Sequence, residues 1–196
     1  MEILRSQDPI ELFKEWLTEA SVSEPNDPEA VALATVSAEG RPSVRMVLLK
    51  GVDNEGFRFY TNLESRKAKE LSHNKNAALC FHWKTLHRQV RVEGKVTSVP
   101  AWAVDAYFKT RHILSRLGAW ASHQSEPLET RDELEERVRL FSQKFKGQEI
   151  PRPPHWGGFV LAPDKIEFWL EGEGRLHDRF LFSRFKGGWE MTRLNP

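Results

Sequence analysis

Cysteine occurs once in this 196-residue chain, at Cys80, so no internal disulfide can form. Its neighbours Ala77, Ala78, Leu79 and Phe81 read as a strand, where a small core residue is the ordinary role. No apolar run approaches the ~20 residues of a membrane-spanning helix. The opening Met1-Glu2-Ile3-Leu4-Arg5 lacks the basic-then-apolar layout of a secretion signal. Neither charge sign dominates: 29 Lys and Arg face 28 Asp and Glu, so there is no basic field to draw nucleic acid. These absences describe a soluble chain expected in the cytoplasm, with neither membrane nor nucleic acid as partner. There is no GxGxxG, Walker loop, HExxH or CxxC, which disfavours a dinucleotide-binding Rossmann domain. His82 and His87 flank a turn, but no second close pair with a cysteine or carboxylate accompanies them, so no metal is expected.

What remains is a strand-rich pattern. Asp8-Pro9 opens a helix, Asp8 as cap and Pro9 in the first position, with Ile10, Phe13, Trp16, Leu17 and Ala20 as its apolar stripe. A polar linker follows over 21–28. Strands are expected over 30–37, 43–50 and 57–61, then a short helix over 64–74. Strands over 76–83 and 87–99 flank a turn, and helices follow over 100–111 and 129–145. Four strands close the chain: 157–161, 165–170, 175–185 and 189–194. Connections of about four or five residues between neighbours imply antiparallel pairing. The expected fold is mainly β with flanking helices, an antiparallel barrel rather than a βαβ sheet.

Positive charge sits in three places that ask for an anion. Within 43–50, apolar residues on both parities predict a strand buried on both faces, and Arg45 inside it needs a partner. An ion pair with a distant acid and a bound anion explain it equally well. Ser65-Arg66-Lys67 puts two cations in a helix's first turn, against the helix dipole, where a phosphate would reverse the sign. In a strand, Arg175, His177 and Arg179 share one face and repel unless an anion lies over them; pairing with Glu171 or Glu173 is the structural alternative. Phe59-Tyr60-Thr61, Gln89 and Gln124-Ser125 stand near these cations in sequence. A flat polar heterocycle with a phosphate tail uses such groups.

Taken together, the segments Arg45-Met46-Val47-Leu48-Leu49-Lys50, Phe59-Tyr60-Thr61-Asn62, Glu64-Ser65-Arg66-Lys67, Arg88-Gln89-Val90-Arg91-Val92, Gly118-Ala119-Trp120, Trp156-Gly157-Gly158, Ile166-Glu167-Phe168-Trp169, Arg175-Leu176-His177-Asp178-Arg179 and the closing Arg193-Leu194-Asn195-Pro196 resemble the pyridoxamine 5'-phosphate oxidase family. The resemblance runs from about Asp8 to Pro196. It implies an FMN-binding split β-barrel occupying 1–196 as a single domain, with helix and linker over 1–28 and site-completing strands over 150–196. It further implies a homodimer with FMN at the subunit interface. Carried over residue by residue, it places FMN contacts on Arg45, Met46, Val47, Leu48, Leu49, Lys50, Tyr60, Thr61, Arg66, Lys67, Gln89, Gln124, Ser125, Trp169 and Arg179. Substrate contacts fall on Lys50, Tyr107, Arg111, Ser115, Arg175, Leu176 and His177, with Arg175 and His177 over the reacting pyridine ring. Lys67 and Arg66 would hold the flavin phosphate; Tyr107, Arg111 and Ser115 would hold that of the substrate.

The implied reaction takes pyridoxamine or pyridoxine 5'-phosphate to pyridoxal 5'-phosphate, with O2 as acceptor and hydrogen peroxide as product, plus ammonia from the amine. Two features stand apart from the family pattern. His112-Ile113-Leu114 follows Arg111 where proline is more usual, and the first helix begins near residue 8, leaving little of the family's N-terminal arm. Arg45 and Lys50 also have opposite parity, so either a bulge separates them or Lys50 lies past the strand end. The rival readings are a flavin enzyme of the same barrel acting on another substrate, and a protein that stores or delivers flavin or pyridoxal phosphate.

Overall fold

The computed structural model describes residues 8–196; the Met1–Arg5 segment lies outside them. The Asp8 carboxylate accepts the Ile10 N–H at 2.7 Å and helix α1 spans Pro9–Ser23, three residues further than its apolar stripe predicts. Then come β1 (Ala30–Val36), β2 (Pro42–Asp53), β3 (Gly56–Asn62), α2 (Arg66–His73), β4 (Asn76–Trp83) and β5 (Arg88–Ser98). The helices α3 (Ala101–Thr110), α4 (Ile113–Ala121) and α5 (Arg131–Lys144) are followed by β6 (Trp156–Leu170), β7 (Asp178–Phe185) and β8 (Gly188–Leu194). The strands run in the order β3-β2-β1-β4-β5-β6-β7-β8, and a further β3–β6 pairing closes the first six into an antiparallel barrel. The expected mainly-β antiparallel barrel with flanking helices is the fold observed.

The barrel interior is aromatic. Phe13 of α1 meets Phe57 at 4.8 Å and Phe81 at 4.9 Å between ring centroids, and Trp16 meets Phe168 edge-on at 5.0 Å. The amphipathic stripe of α1 is therefore part of the barrel core, each such side chain contributing ~1.5–3 kcal/mol of burial. A second apolar cluster lies outside the barrel, where Val104, Phe108 and Leu117 of the helices pack on Trp156 and Val160 of β6. That helical lobe supplies one wall of the site.

Four expectations are corrected. β6 is one strand of 15 residues, not two. Ala162-Pro163-Asp164 looks like a turn, but it forms a bulge where β6 slips against Glu93 and Gly94 of β5. Gly94 permits it: a Cβ there would lie 2.0 Å from the Ala162 carbonyl oxygen. Second, residues 175–177 are not strand. Gly174 and Arg175 have φ of 60° and 65°, and the Gly172 N–H donates to His177 Nδ1 at 3.2 Å, so 172–177 is a tight turn and the strand starts at Asp178. Third, α4 was not foreseen, being nine residues long and holding Gly118. Fourth, β2 is not buried on both faces in one chain: Val44, Met46 and Leu48 are 68%, 63% and 42% exposed. Its parity puzzle resolves as a bulge, for Leu49 pairs with Phe59 and Gly51 with Arg58, leaving Lys50 as the extra residue.

Candidate active site

A cavity of about 810 Å³ opens between β2, β3 and the start of β6 on one side and α3 and α4 on the other. Its size suits a small-molecule or cofactor site.

One corner is built by α2. Lys67, 9% exposed, points Nζ at Gln124 Oε1 (2.8 Å), Thr61 Oγ1 (3.1 Å) and Ser65 Oγ (3.3 Å). These are neutral oxygens, and among the described residues no carboxylate pairs with it. Burial, helped by the Arg45 charge, pulls its pKa down to about 8. Ser65, at the helix cap, makes no capping bond and donates instead to the Asn62 carbonyl at 2.6 Å. The Arg66 N–H donates to Ser125 Oγ at 3.2 Å and its Nε to Glu70 at 2.8 Å. Arg45 also reaches Glu70, at 3.2 Å, so the distant acid foreseen as one explanation exists, and the guanidinium lines the cavity as well.

The far wall is aromatic and cationic. Tyr60, Tyr107 and Trp156 cluster with near-parallel rings, their centroids 4.1 Å (Tyr60–Tyr107), 5.4 Å (Tyr60–Trp156) and 6.2 Å (Tyr107–Trp156) apart. Gly158, opposite Tyr60 in the ladder, allows this; a Cβ there would fall 2.6 Å from the Tyr60 ring. Arg111 lies 4.7 Å over the Trp156 ring. Its Nη1 is buried without a hydrogen-bond partner, and burial lowers its pKa. Ser115, on the first turn of α4, lines the same wall beside His112, whose Nδ1 accepts the Leu114 N–H at 3.3 Å and caps the helix. Lys50 reaches the cavity from the bulge, paired with Glu29 at 2.6 Å. Met46, Val47 and Leu48 line it too, whereas the Leu49 side chain sits in the barrel core.

The remaining predicted residues lie elsewhere on the chain. Gln89, Trp169 and Arg179 are aligned in register across β5, β6 and β7 on one sheet face. His177 packs on Trp169 at 4.5 Å between ring centroids, and Leu176 is exposed. Arg179 donates to Glu167 at 2.7 Å, an acid not among those considered; Glu171 pairs with His87 instead. Arg175 makes no ion pair among the described residues. The row of three cations on one strand face is therefore not formed, because the Gly172–Gly174 turn lifts Arg175 and His177 off the strand. The cavity also takes in Asn62, His112, Ser122 and Trp156, which were not foreseen as site residues. Asn62 and Trp156 stood inside quoted motifs, while His112 and Ser122 depended on the unforeseen α4.

A closed antiparallel barrel with a cationic, aromatic-walled cavity at its flank defines the split-barrel class in which flavin-binding proteins are found. Within it, the chain belongs to the pyridoxamine 5'-phosphate oxidase family. Residues 17–145 match the family model for pyridoxamine 5'-phosphate oxidase, and residues 156–196 that for the pyridoxine 5'-phosphate oxidase C-terminal dimerisation region. A pyridoxine/pyridoxamine 5'-phosphate oxidase of Rhodospirillum rubrum is 57% identical over 201 residues, covering 100% of both chains. That of Gluconobacter oxydans is 54% identical, covering 96% of this chain and 94% of its own. Among solved structures, PhzG of Burkholderia lata, in complex with tetrahydrophenazine-1-carboxylic acid, superposes with a TM-score of 0.91 at 32% identity, covering 96% of this chain and 93% of that one. A pyridoxamine 5'-phosphate oxidase-related, FMN-binding protein of Nostoc punctiforme shares the fold, with a TM-score of 0.77 at 20% identity and 97% of this chain covered.

Proposed function

We propose that this chain, as a homodimer with FMN, oxidises pyridoxine or pyridoxamine 5'-phosphate to pyridoxal 5'-phosphate. The observation that carries this reading is a pair of cations in one cavity, each without an acid: buried Lys67 in one corner, and Arg111 with its orphaned Nη1 on the opposite wall. Two phosphates, one on the flavin and one on the substrate, would meet them. A buried cation without a counter-charge is costly, and a bound phosphate removes that cost.

FMN would supply the redox chemistry, a two-electron oxidation in which the substrate gives up a carbon-bound hydrogen and the proton of its hydroxyl or amine, with O2 as the final acceptor and hydrogen peroxide as its product. Lys67, Arg66 and Arg45, with Thr61, Gln124 and Ser125, would hold its phosphate. The exposed edge of β2 at Met46 to Leu48, the bulged Lys50 and Tyr60 would run beside the ring. Tyr107, Arg111 and Ser115 would bind the substrate phosphate and so set the pyridine's position. Gln89, Trp169 and Arg179, with Arg175, Leu176 and His177 toward substrate, lie outside the cavity of their own chain; on this reading the second copy contributes them. The dimerisation region matched over 156–196 supports that arrangement. The whole chain then acts as one flavin-binding unit whose segment 150–196 completes the site of its partner. Amine substrate would release ammonia. No side chain at the cavity is placed as a base, so Arg175 and His177 are given orienting and electrostatic roles.

The test is the visible spectrum of the purified protein followed by anaerobic addition of pyridoxine 5'-phosphate. The expected result is a flavin spectrum that bleaches on addition and recovers with air. A colourless protein, or a flavin that does not bleach, overturns the proposal.

A further inference from the structure

Glu70 lies three residues after Lys67 on the buried face of α2 and is 6% exposed. Its two oxygens collect both arginines of the corner. Oε1 accepts Arg66 Nε at 2.8 Å. Oε2 accepts Thr35 Oγ1 at 2.5 Å, Ser43 Oγ at 2.6 Å and Arg45 Nη2 at 3.2 Å. The same two hydroxyls accept from Arg45: Thr35 from Nη1 and Ser43 from Nη2, each at 2.5 Å. Thr35 and Ser43 face each other across the β1–β2 ladder. Each hydroxyl thus takes an N–H from the guanidinium and passes its own O–H to the carboxylate, so β1, β2 and α2 fix the Arg45 plane together.

Burial alone would raise the Glu70 pKa, but hydrogen bonds from Ser43, Thr35 and Arg66 bring it down to about 2, so the acid stays charged. Lys67 receives nothing from it, since Nζ meets only neutral oxygens. Three cations (Arg45, Arg66, Lys67) against one carboxylate leave a surplus of two positive charges. A phosphate monoester carries about −1.5 to −2 at neutral pH.

We propose that Glu70 is the positioning residue of this corner, holding Arg45 and Arg66 in the orientation that receives the flavin phosphate and matching the corner's charge to that of a phosphate dianion. This rests on the reading of the corner as the FMN phosphate site. A residue that merely docked α2 on the barrel would affect any flavin equally. One that positions phosphate ligands affects FMN and spares riboflavin, which has the same ring and no phosphate.

The experiment is fluorescence titration of the full-length protein with FMN and with riboflavin, for the unaltered chain, Glu70→Gln and Ser43→Ala. The unaltered chain should prefer FMN. Glu70→Gln should weaken FMN by about tenfold or more and riboflavin by less than about twofold, as expected for loss of a charge-assisted bond. Ser43→Ala removes one relay and should weaken FMN by roughly threefold, again sparing riboflavin. If Glu70→Gln does not fold, Ser43→Ala decides by the same selectivity. Unchanged or tighter FMN binding in the variants overturns the proposal, as does equal weakening of both flavins. If the unaltered chain binds FMN no better than riboflavin, the phosphate assignment itself fails, and the role of Glu70 falls with it.

Discussion

Lys67 is a residue whose burial works against the fold. Its pKa of about 8 lies below the ordinary 10.5, so between those values the unfolded chain binds the extra proton. The penalty is therefore full below pH 8 and fades as pH rises to 10.5. Lys67→Met should raise the melting temperature of the flavin-free protein near pH 7 by ~2–4 °C, for roughly 1 kcal/mol regained. That gain should shrink between pH 8 and 10.5, a comparison differential scanning calorimetry can make. The same variant should bind FMN at least about tenfold more weakly. In the unaltered protein FMN affinity should fall above pH 8, as the ligand-free lysine loses its proton. Sequence made the cations of Ser65-Arg66-Lys67 visible, because a first turn is the wrong place for them. It could not decide Arg45, whose acid is 25 positions away on another element, and it gave Glu70 no prominence at all. A carboxylate inside an amphipathic helix looks solvated until β1, β2 and α2 are seen to converge on it.

At the level of elements, the turn over 172–177 separates two residues that an uninterrupted strand would have treated alike. Arg175 has no ion pair among the described residues, whereas Arg179 holds the buried Glu167. Arg175→Leu should keep flavin content and melting temperature near those of the unaltered protein and lower kcat/KM for pyridoxine 5'-phosphate by about tenfold or more, ~1.4 kcal/mol. Arg179→Leu leaves Glu167 with Arg91 alone and should lower both the melting temperature and FMN affinity. Unchanged steady-state kinetics in Arg175→Leu would remove its substrate role. The cluster of Tyr60, Tyr107 and Trp156 is equally an element-scale product. Gly158→Ala would press a methyl into the Tyr60 ring and the Phe59 carbonyl, 2.6 and 2.8 Å away, at a cost of roughly 1–3 kcal/mol by chemical denaturation. Strand and helix periodicity reveals most of these elements. It does not reveal that Pro163 sits in a bulge, that Lys50 is the extra residue of another, or that the short α4 exists. Each depends on a pairing or packing partner outside the segment itself, which the segment's own periodicity does not carry.

For the molecule as a whole, the predicted site residues fall into two groups on each chain, one around the cavity and one on the sheet face beyond it. The exposed Val44, Met46 and Leu48 form an apolar stripe on the outward face of β2. Apolar residues on both parities of that strand are legible in the sequence, but what covers the outer set is not, because no element among the described residues does so. Met46→Asp should leave the barrel folded, since the residue is 63% exposed, while shifting the protein toward monomer and releasing flavin in parallel. Sedimentation and absorbance near 450 nm on the same samples check this; a flavin-loaded, active monomer would contradict the shared site.

The long closing strand also sets a timetable. Until residues 156–170 have been made, β3 and β5 are both open edges, and the seam Phe59–Phe159 joins positions a hundred residues apart. Such a non-local closure is slow relative to hairpin formation. At typical synthesis rates β6 alone takes roughly one to three seconds to emerge. During that interval the aromatic face of α1 has only an unsealed sheet to lie on. The nascent chain is most prone to aggregate in that interval, before β6 is complete, and a ribosome that pauses there prolongs the hazard.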